Sequence, residues 1–167
     1  QMPGVHGAKK RAGMTSSYGK QLNEKQKVKY IYGLRERQLR GYVSRANRQK
    51  GDSGITLQKL LEKRMDNMIY RAGFAITRAQ ARQLVNHGMF TVNGKRMDIP
   101  SYSVKVGDII ELKVNKRKKK YFENISDTLA KVEGPSWLSI DAGAPQVKVT
   151  NEPGEKDFDK IFDIKLI

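Results

Sequence analysis

TLQKLLEKRMDNMIYRAGFAITRAQARQLVNHGMFTVNGKRMDIPSYSVKVGDIIELKV, residues 56–114, decides how this chain folds. Leu57, Leu61, Met65, Met68 and Ala72 recur at helical spacing, which predicts one buried stripe on a helix running to Gly73. Gly51-Asp52-Ser53-Gly54 is a turn before it, and Thr56 or Ser53 can supply the cap. Arg64 and Arg71 share the opposite side with Lys63 and Asn67. Thr77-Arg78-Ala79-Gln80 fits a capping box that opens a second helix. Ala81, Leu84 and Val85 point inward on it, while Arg78 and Arg82 lie four apart on another face, where folding is expected to tolerate their loss. Gly88 ends this helix, and His87 in its last turn reads as a cap rather than a catalyst.

Phe90-Thr91-Val92, Asn93-Gly94 and Lys95-Arg96-Met97 form a hairpin pattern, because Asn-Gly accepts the positive φ of a type I′ turn. Val104 and Val106, then Ile109, Ile110, Leu112 and Val114, predict two further strands around Gly107-Asp108. Residues 56–120 thus read as a self-contained module of helices on a small sheet, closed by the run Lys116-Arg117-Lys118-Lys119-Lys120.

Charge is segregated along the chain. Residues 1–120 carry 28 basic and 8 acidic side chains, and residues 121–167 carry 5 and 9. A surface built only for solubility has no reason to be divided so sharply, whereas a polyphosphate partner rewards it by counterion release. The 167 residues include no cysteine, which excludes disulfides and thiolate metal sites within them. No apolar run approaches the ~18–20 residues of a membrane span, so a soluble, cytosol-like protein is expected. The chain opens on Gln1 and reads as a piece of a longer one.

Outside the module, residues 1–18 are rich in Gly, Ser and cations without apolar periodicity, and read as a basic extended segment. Ile31, Leu34, Leu39, Tyr42, Val43 and Ala46 predict helices over 20–48, bent or broken at Gly33. Like charges crowd these helices at Lys25/Lys29, Arg37/Arg40 and Arg45/Arg48. Each such pair costs a few tenths of a kcal/mol on a bare helix, and a polyanion lying along the face reverses the sign. A solvated face relieved by Glu24 and Glu36 is the competing reading. From Tyr121 onward a short helix, a strand at Trp137-Leu138 and an apolar tail with Phe158, Ile161, Phe162, Ile164 and Leu166 are expected.

No catalytic constellation is legible. There are two histidines, no paired acid and base, and no glycine-rich loop between strand and helix. Asp66, set between arginines in the module's helices, reads as an orienting partner for them. Neither a metal nor a cofactor is implied.

Residues 64–108, RMDNMIYRAGFAITRAQARQLVNHGMFTVNGKRMDIPSYSVKVGD, resemble the RNA-binding module of the small-subunit ribosomal protein four family, bacterial type. PGVHGAKK at 3–10, YGKQLNEKQKVKYIYGLRERQLRGY at 18–42 and PSWLSIDA at 135–142 resemble the same family's flanking segments. The resemblance implies an α+β fold: a helical domain with an inserted small α/β RNA-binding module, two helices packed on a short, mainly antiparallel sheet. The division it implies is 1–18 extended, 19–55 the first part of the helical domain, 56–120 the module, and 121–167 returning to the helical domain.

The resemblance also implies a structural constituent of the small ribosomal subunit, cytoplasmic, that binds small-subunit ribosomal RNA early in assembly at a multi-helix junction. Its neighbours would be ribosomal protein five and messenger RNA at the entry channel. The RNA-facing positions it implies are Lys9, Lys10, Arg11, Lys20, Gln21 and Lys25, with Arg64, Arg71, Thr77, Arg78, Arg82 and Gln83 in the module. Relatives begin further upstream, some with zinc-binding cysteines, so a zinc site beyond Gln1 is open. Two alternatives share the module: a free-standing quality-control factor for stalled ribosomes, and the RNA-binding part of an RNA-modifying enzyme. The first would not need the helices of 20–48, and the second needs a catalytic domain for which the flanking segments leave no room.

Overall fold

A computed structural model describes residues 16–160, 162 and 163. Its helices are α1 (Ser17–Tyr32), α2 (Glu36–Arg48), α3 (Ser53–Glu62), α4 (Met65–Arg71), α5 (Arg78–Asn86), α6 (Val114–Arg117) and α7 (Ile125–Ala130). Its strands are β1 (Phe90–Val92), β2 (Lys95–Met97), β3 (Ile109–Leu112), β4 (Leu138–Asp141) and β5 (Gln146–Val149), in one antiparallel sheet of order β2-β1-β3-β5-β4. The fold is α+β, as the sequence implies.

Two hydrophobic clusters organise it. Val28, Tyr32, Leu39, Tyr42, Ala46, Leu57 and Leu61 join α1, α2 and α3. Met65, Met68, Phe74, Val85, Phe90, Ile110 and Trp137 join α4, α5 and the sheet, with Phe74 edge-on to Phe90 at 5.4 Å. Gly33 ends α1 at φ 61, a left-handed conformation that glycine adopts without steric cost, and so divides α1 from α2. The hairpin between β1 and β2 turns on Asn93 (φ 51) and Gly94 (φ 79), the type I′ geometry that dipeptide favours.

Several local expectations are corrected. Asp52, rather than Ser53 or Thr56, caps α3, its carboxylate accepting from Gly54 N at 2.8 Å and Ile55 N at 3.1 Å. The stripe from Leu57 to Ala72 is carried by two helices. Arg64 is extended (ψ 137) because the loop 100–104 supplies partners there: Met65 N donates to Tyr102 O at 2.8 Å, and Val104 N to Lys63 O at 2.9 Å. That contact buries Val104 without a strand, and Val106 is left exposed before the turn at Gly107. Val114 opens α6 rather than extending β3.

The sheet also extends beyond the module expected over 56–120. β5 pairs with β3 along Ile109–Glu111, and Phe122, Leu129, Trp137, Val147 and Val149 lie inside the module's core. A fragment ending at residue 120 therefore strips one flank of β3 and opens the core. Within 121–167, α7, β4 and β5 complete the module, and Phe162 reaches the helical side, edge-on to Tyr32 at 6.4 Å. Ile161, Ile164 and Leu166 lie outside the described residues.

Candidate nucleic-acid interface

The break at Arg64 places α4 so that its first turn faces the end of α1, and α5 packs across α4. The result is a seam between the two clusters, lined by four arginines. Arg64 is 2% exposed; its Nε and Nη2 donate to the Asp66 carboxylate at 3.0 and 2.8 Å, and its Nη1 to the Tyr42 hydroxyl at 2.8 Å. Arg82 donates to Asp66 from the other side at 3.0 Å, and to Gly33 O at 2.7 Å and Tyr32 O at 3.0 Å. It thereby closes the carbonyl end of α1, where a cation is favoured.

Glu62, fully buried at the end of α3, is the second anchor. It accepts from Arg71 at 3.0 and 3.2 Å, from Tyr32 Oη at 2.7 Å and from Asn67 Nδ2 at 2.9 Å. Arg78 donates to Asn67 Oδ1 at 2.8 Å and lies over the rings of Tyr32 and Tyr70, 4.9 and 4.6 Å from their centroids. Asp159 closes the seam from the C-terminal segment, 2.9 Å from Arg71 and 3.1 Å from Arg78.

Burial disfavours the Arg64 and Arg71 cations, but the Asp66 and Glu62 carboxylates more than compensate and hold both above their ordinary values. Burial and the Glu62 charge push the Tyr32 phenol up, so it stays a neutral donor. The seam is layered. Glu62, Arg64, Asp66 and Asn67 are enclosed, and Arg71, Arg78 and Arg82 keep 19, 16 and 33% of their side chains exposed.

The other expected positions are spread out. Thr77 is exposed as the cap of α5, its hydroxyl accepting from Gln80 N at 3.1 Å, and Gln83 is exposed one turn on. Lys20 and Gln21 are exposed near the start of α1, roughly 18 Å of helix from the Gly33 end where Arg82 docks. Lys25 is ion-paired with Glu36 of α2. Lys9, Lys10 and Arg11 lie outside the described residues. The surface is thus a stripe, not a pocket.

Two expectations change. Arg64 and Asn67 face inward rather than away from the apolar stripe, because the helix break rotates α4 against the loop 100–104. Arg78 and Arg82 are cross-braces between the two clusters, so folding does not ignore them. Asp66 orients Arg64 and Arg82 as expected, but Glu62 and Asp159 share that work, and sequence reasoning misses both. Nothing in the spacing around Lys63 singles out Glu62, and no local pattern links Asp159 to arginines some eighty positions away. Among the described residues no cluster of His, Asp or Glu could hold a metal ion, and no helix is long and apolar enough to cross a membrane.

Comparison with known proteins gives the seam a context. The S4 domain family matches residues 63–110, and the ribosomal protein S4/S9 N-terminal domain family matches residues 1–62. The boundary between them falls at the break separating α3 from α4. Small ribosomal subunit protein uS4 of Herpetosiphon aurantiacus is 49% identical over all of this chain and 80% of its own length. The uS4 protein of Thermodesulfovibrio yellowstonii is 50% identical over 99% of this chain and 78% of its own, and that of Chloroflexus aurantiacus 46% over 99% and 81%. This chain belongs to the small ribosomal subunit protein uS4 family.

Proposed function

We propose that this chain is a structural constituent of the small ribosomal subunit that binds small-subunit ribosomal RNA at a multi-helix junction during assembly. Its setting would be beside ribosomal protein five and the messenger entry channel, and its role non-enzymatic. One observation carries the reading: the arginine seam fixes two cationic surfaces, that of α1–α2 and that of α4–α5, against each other. Linked surfaces make the second contact with one RNA intramolecular, which raises affinity by roughly 10²–10⁴ over either alone.

In this reading Lys20, Gln21 and Lys25 meet RNA from α1, and Thr77, Arg78, Arg82 and Gln83 meet it from α5, with Arg71 beside them. Arg64 acts through its neighbours by holding Asp66 in place. Lys9, Lys10 and Arg11 join from the N-terminal segment. Phosphate contacts and RNA shape dominate such an interface, because the deep groove of an RNA helix hides its base edges.

Binding of the full chain to small-subunit ribosomal RNA is the test. The logarithm of affinity should fall linearly with the logarithm of salt, by roughly 0.7–0.9 per phosphate contact. A flat plot between low and physiological salt overturns the reading. Co-sedimentation in one copy per small subunit is expected; substoichiometric attachment to large subunits instead would favour a free-standing quality-control factor.

A further inference from the structure

Three carboxylates neutralise the seam, but they are held very differently. Glu62 and Asp66 are 0 and 2% exposed and sit within helical turns. Asp159 belongs to the segment Glu152–Lys160, which carries four acidic and two basic residues and crosses the seam from outside as a strap.

The attachments of that strap are few and mostly polar. Lys63 Nζ meets Glu152 at 2.9 Å, the Ser136 hydroxyl donates to Asp157 at 2.9 Å, and Asp159 receives Arg71 and Arg78. Phe158 is its one deep apolar anchor apart from Pro153. Clefts flank it on both sides. One of about 470 Å³ is lined by Tyr70, Arg71, Gly73, Lys156 and Asp159. The other, about 630 Å³, is lined by Asp52, Gln58, Phe158 and Phe162. Such an element, short of apolar contacts and fastened by ion pairs that keep an edge toward solvent, opens at lower free energy than the enclosed core beneath it.

We propose that the strap is a displaceable cover in which the Asp159 carboxylate occupies the place of an RNA backbone phosphate between Arg71 and Arg78, and that ribosomal RNA lifts it on binding. This rests on the proposed role of those two arginines toward RNA. A carboxylate and a phosphodiester each bring one negative charge and a pair of acceptor oxygens, so a guanidinium fork accepts either. The exchange leaves the arginines neutralised, and the RNA gains by releasing condensed counterions. Before RNA arrives, Asp159 spares Arg78 an uncompensated, partly buried charge, and it adds to Glu62 as a second counter-ion for Arg71. The stacked rings of Tyr32 and Tyr70 keep the Arg78 guanidinium in position throughout.

Amide hydrogen exchange of the full chain, with and without small-subunit ribosomal RNA, tests this directly. RNA should slow exchange in α4 and α5 and accelerate it in residues 154–160. Asp159→Asn, which keeps the shape and removes the charge, should bind the RNA roughly three- to tenfold more tightly at physiological salt. Unchanged or increased protection of the strap in the bound wild type overturns the proposal, whatever Asp159→Asn does. Asp159 is then a rivet. If Asp159→Asn does not fold, the exchange measurement on the wild type still decides. Absence of RNA binding by both proteins is a different failure, that of the RNA-binding role itself.

Discussion

The arginines of α2 and those of α4–α5 have similar spacing in the sequence and opposite fates in the fold. On α2, Arg37, Arg40, Arg45 and Arg48 are all exposed. Glu36 serves Arg40 while also serving Lys25 and Lys29 of α1, and Arg45 lies over the Tyr42 ring at 4.3 Å. Among the described residues no carboxylate reaches Arg37 or Arg48. In the seam, four arginines meet three carboxylates, two of them fully enclosed. The difference is made by carboxylates that the fold holds against the arginines, Glu62 and Asp66 enclosed beside them and Asp159 brought in from the C-terminal segment. Where they arrive, arginine becomes architecture with an outer edge left for a ligand; where they do not, it remains available charge.

The sharpest way to break that comparison is to remove an enclosed carboxylate. Asp66→Ala leaves Arg64 buried without its counter-ion and frees Arg82 from α4. A loss of about 3–5 kcal/mol in denaturant unfolding is expected, the cost typical of an unpaired buried charge. A change below about 1 kcal/mol would show the seam to be ordinary surface.

Next in size is Arg78→Ala combined with Arg82→Ala. These part-exposed braces link α5 to Asn67, Asp159 and the end of α1, and their joint loss should lower stability by about 2–3 kcal/mol. RNA binding of the double variant must therefore be measured where it is shown to be folded. Weaker binding under those conditions assigns the outer layer to RNA; unchanged binding leaves it purely structural.

Arg37→Ala with Arg48→Ala is the mirror experiment. Stability should stay within about 0.5 kcal/mol of wild type, since nothing buried is disturbed. Affinity for small-subunit ribosomal RNA should drop, and the salt slope should become shallower by roughly 0.7–0.9 for each phosphate the variant no longer neutralises. Unchanged binding would assign this face to protein or solvent.

What the sequence makes legible follows from the range of the interactions. The division at Gly33, the hydroxyl cap at Thr77, the turn at Asn93-Gly94 and the stop at Gly88 each rest on a few neighbouring residues and stand as read, although the Gln80 side chain accepts from Ile76 N rather than returning to Thr77 N as a capping box would. The break at Lys63-Arg64 does not, because the loop 100–104 that stabilises it is distant in sequence, and the alternation at Val104 and Val106 reads as a strand rather than as a partner for Lys63. Likewise residues 121–167 are expected as a whole on the helical side, and the strand β5 is not expected at all, since its pairing with β3 is visible only in three dimensions. The candidate site divides in the same way. Its arginines are evident from spacing, while Glu62, Asp159 and the stacking tyrosines acquire meaning only when α1, α4, α5 and the strap converge.

The smallest expected effect lies at the contact between α1 and α2, and it tests whether charge there is merely surface. Hydrogen bonds from Lys25 and Lys29 hold the Glu36 carboxyl down to about 2, against 4.5 for a free glutamate. Because the folded value is the lower one, the folded state binds fewer protons between these limits. The contribution is fully present above about 4.5 and is lost as pH falls toward 2. Glu36→Gln should leave thermal stability at neutral pH nearly unchanged, since exposed pairs contribute little against solvent screening. It should flatten the part of the acid limb that lies within this window, and added salt should erase the difference from wild type. The variant also frees Lys25 and Lys29 from their competitor, so RNA affinity should rise slightly even as the acid limb flattens. An acid limb identical to that of wild type would mean that α1 and α2 meet through Leu39 and Tyr42 alone. Lys25, Lys29 and Arg40 would then be free charge, and the contrast with the seam sharper still.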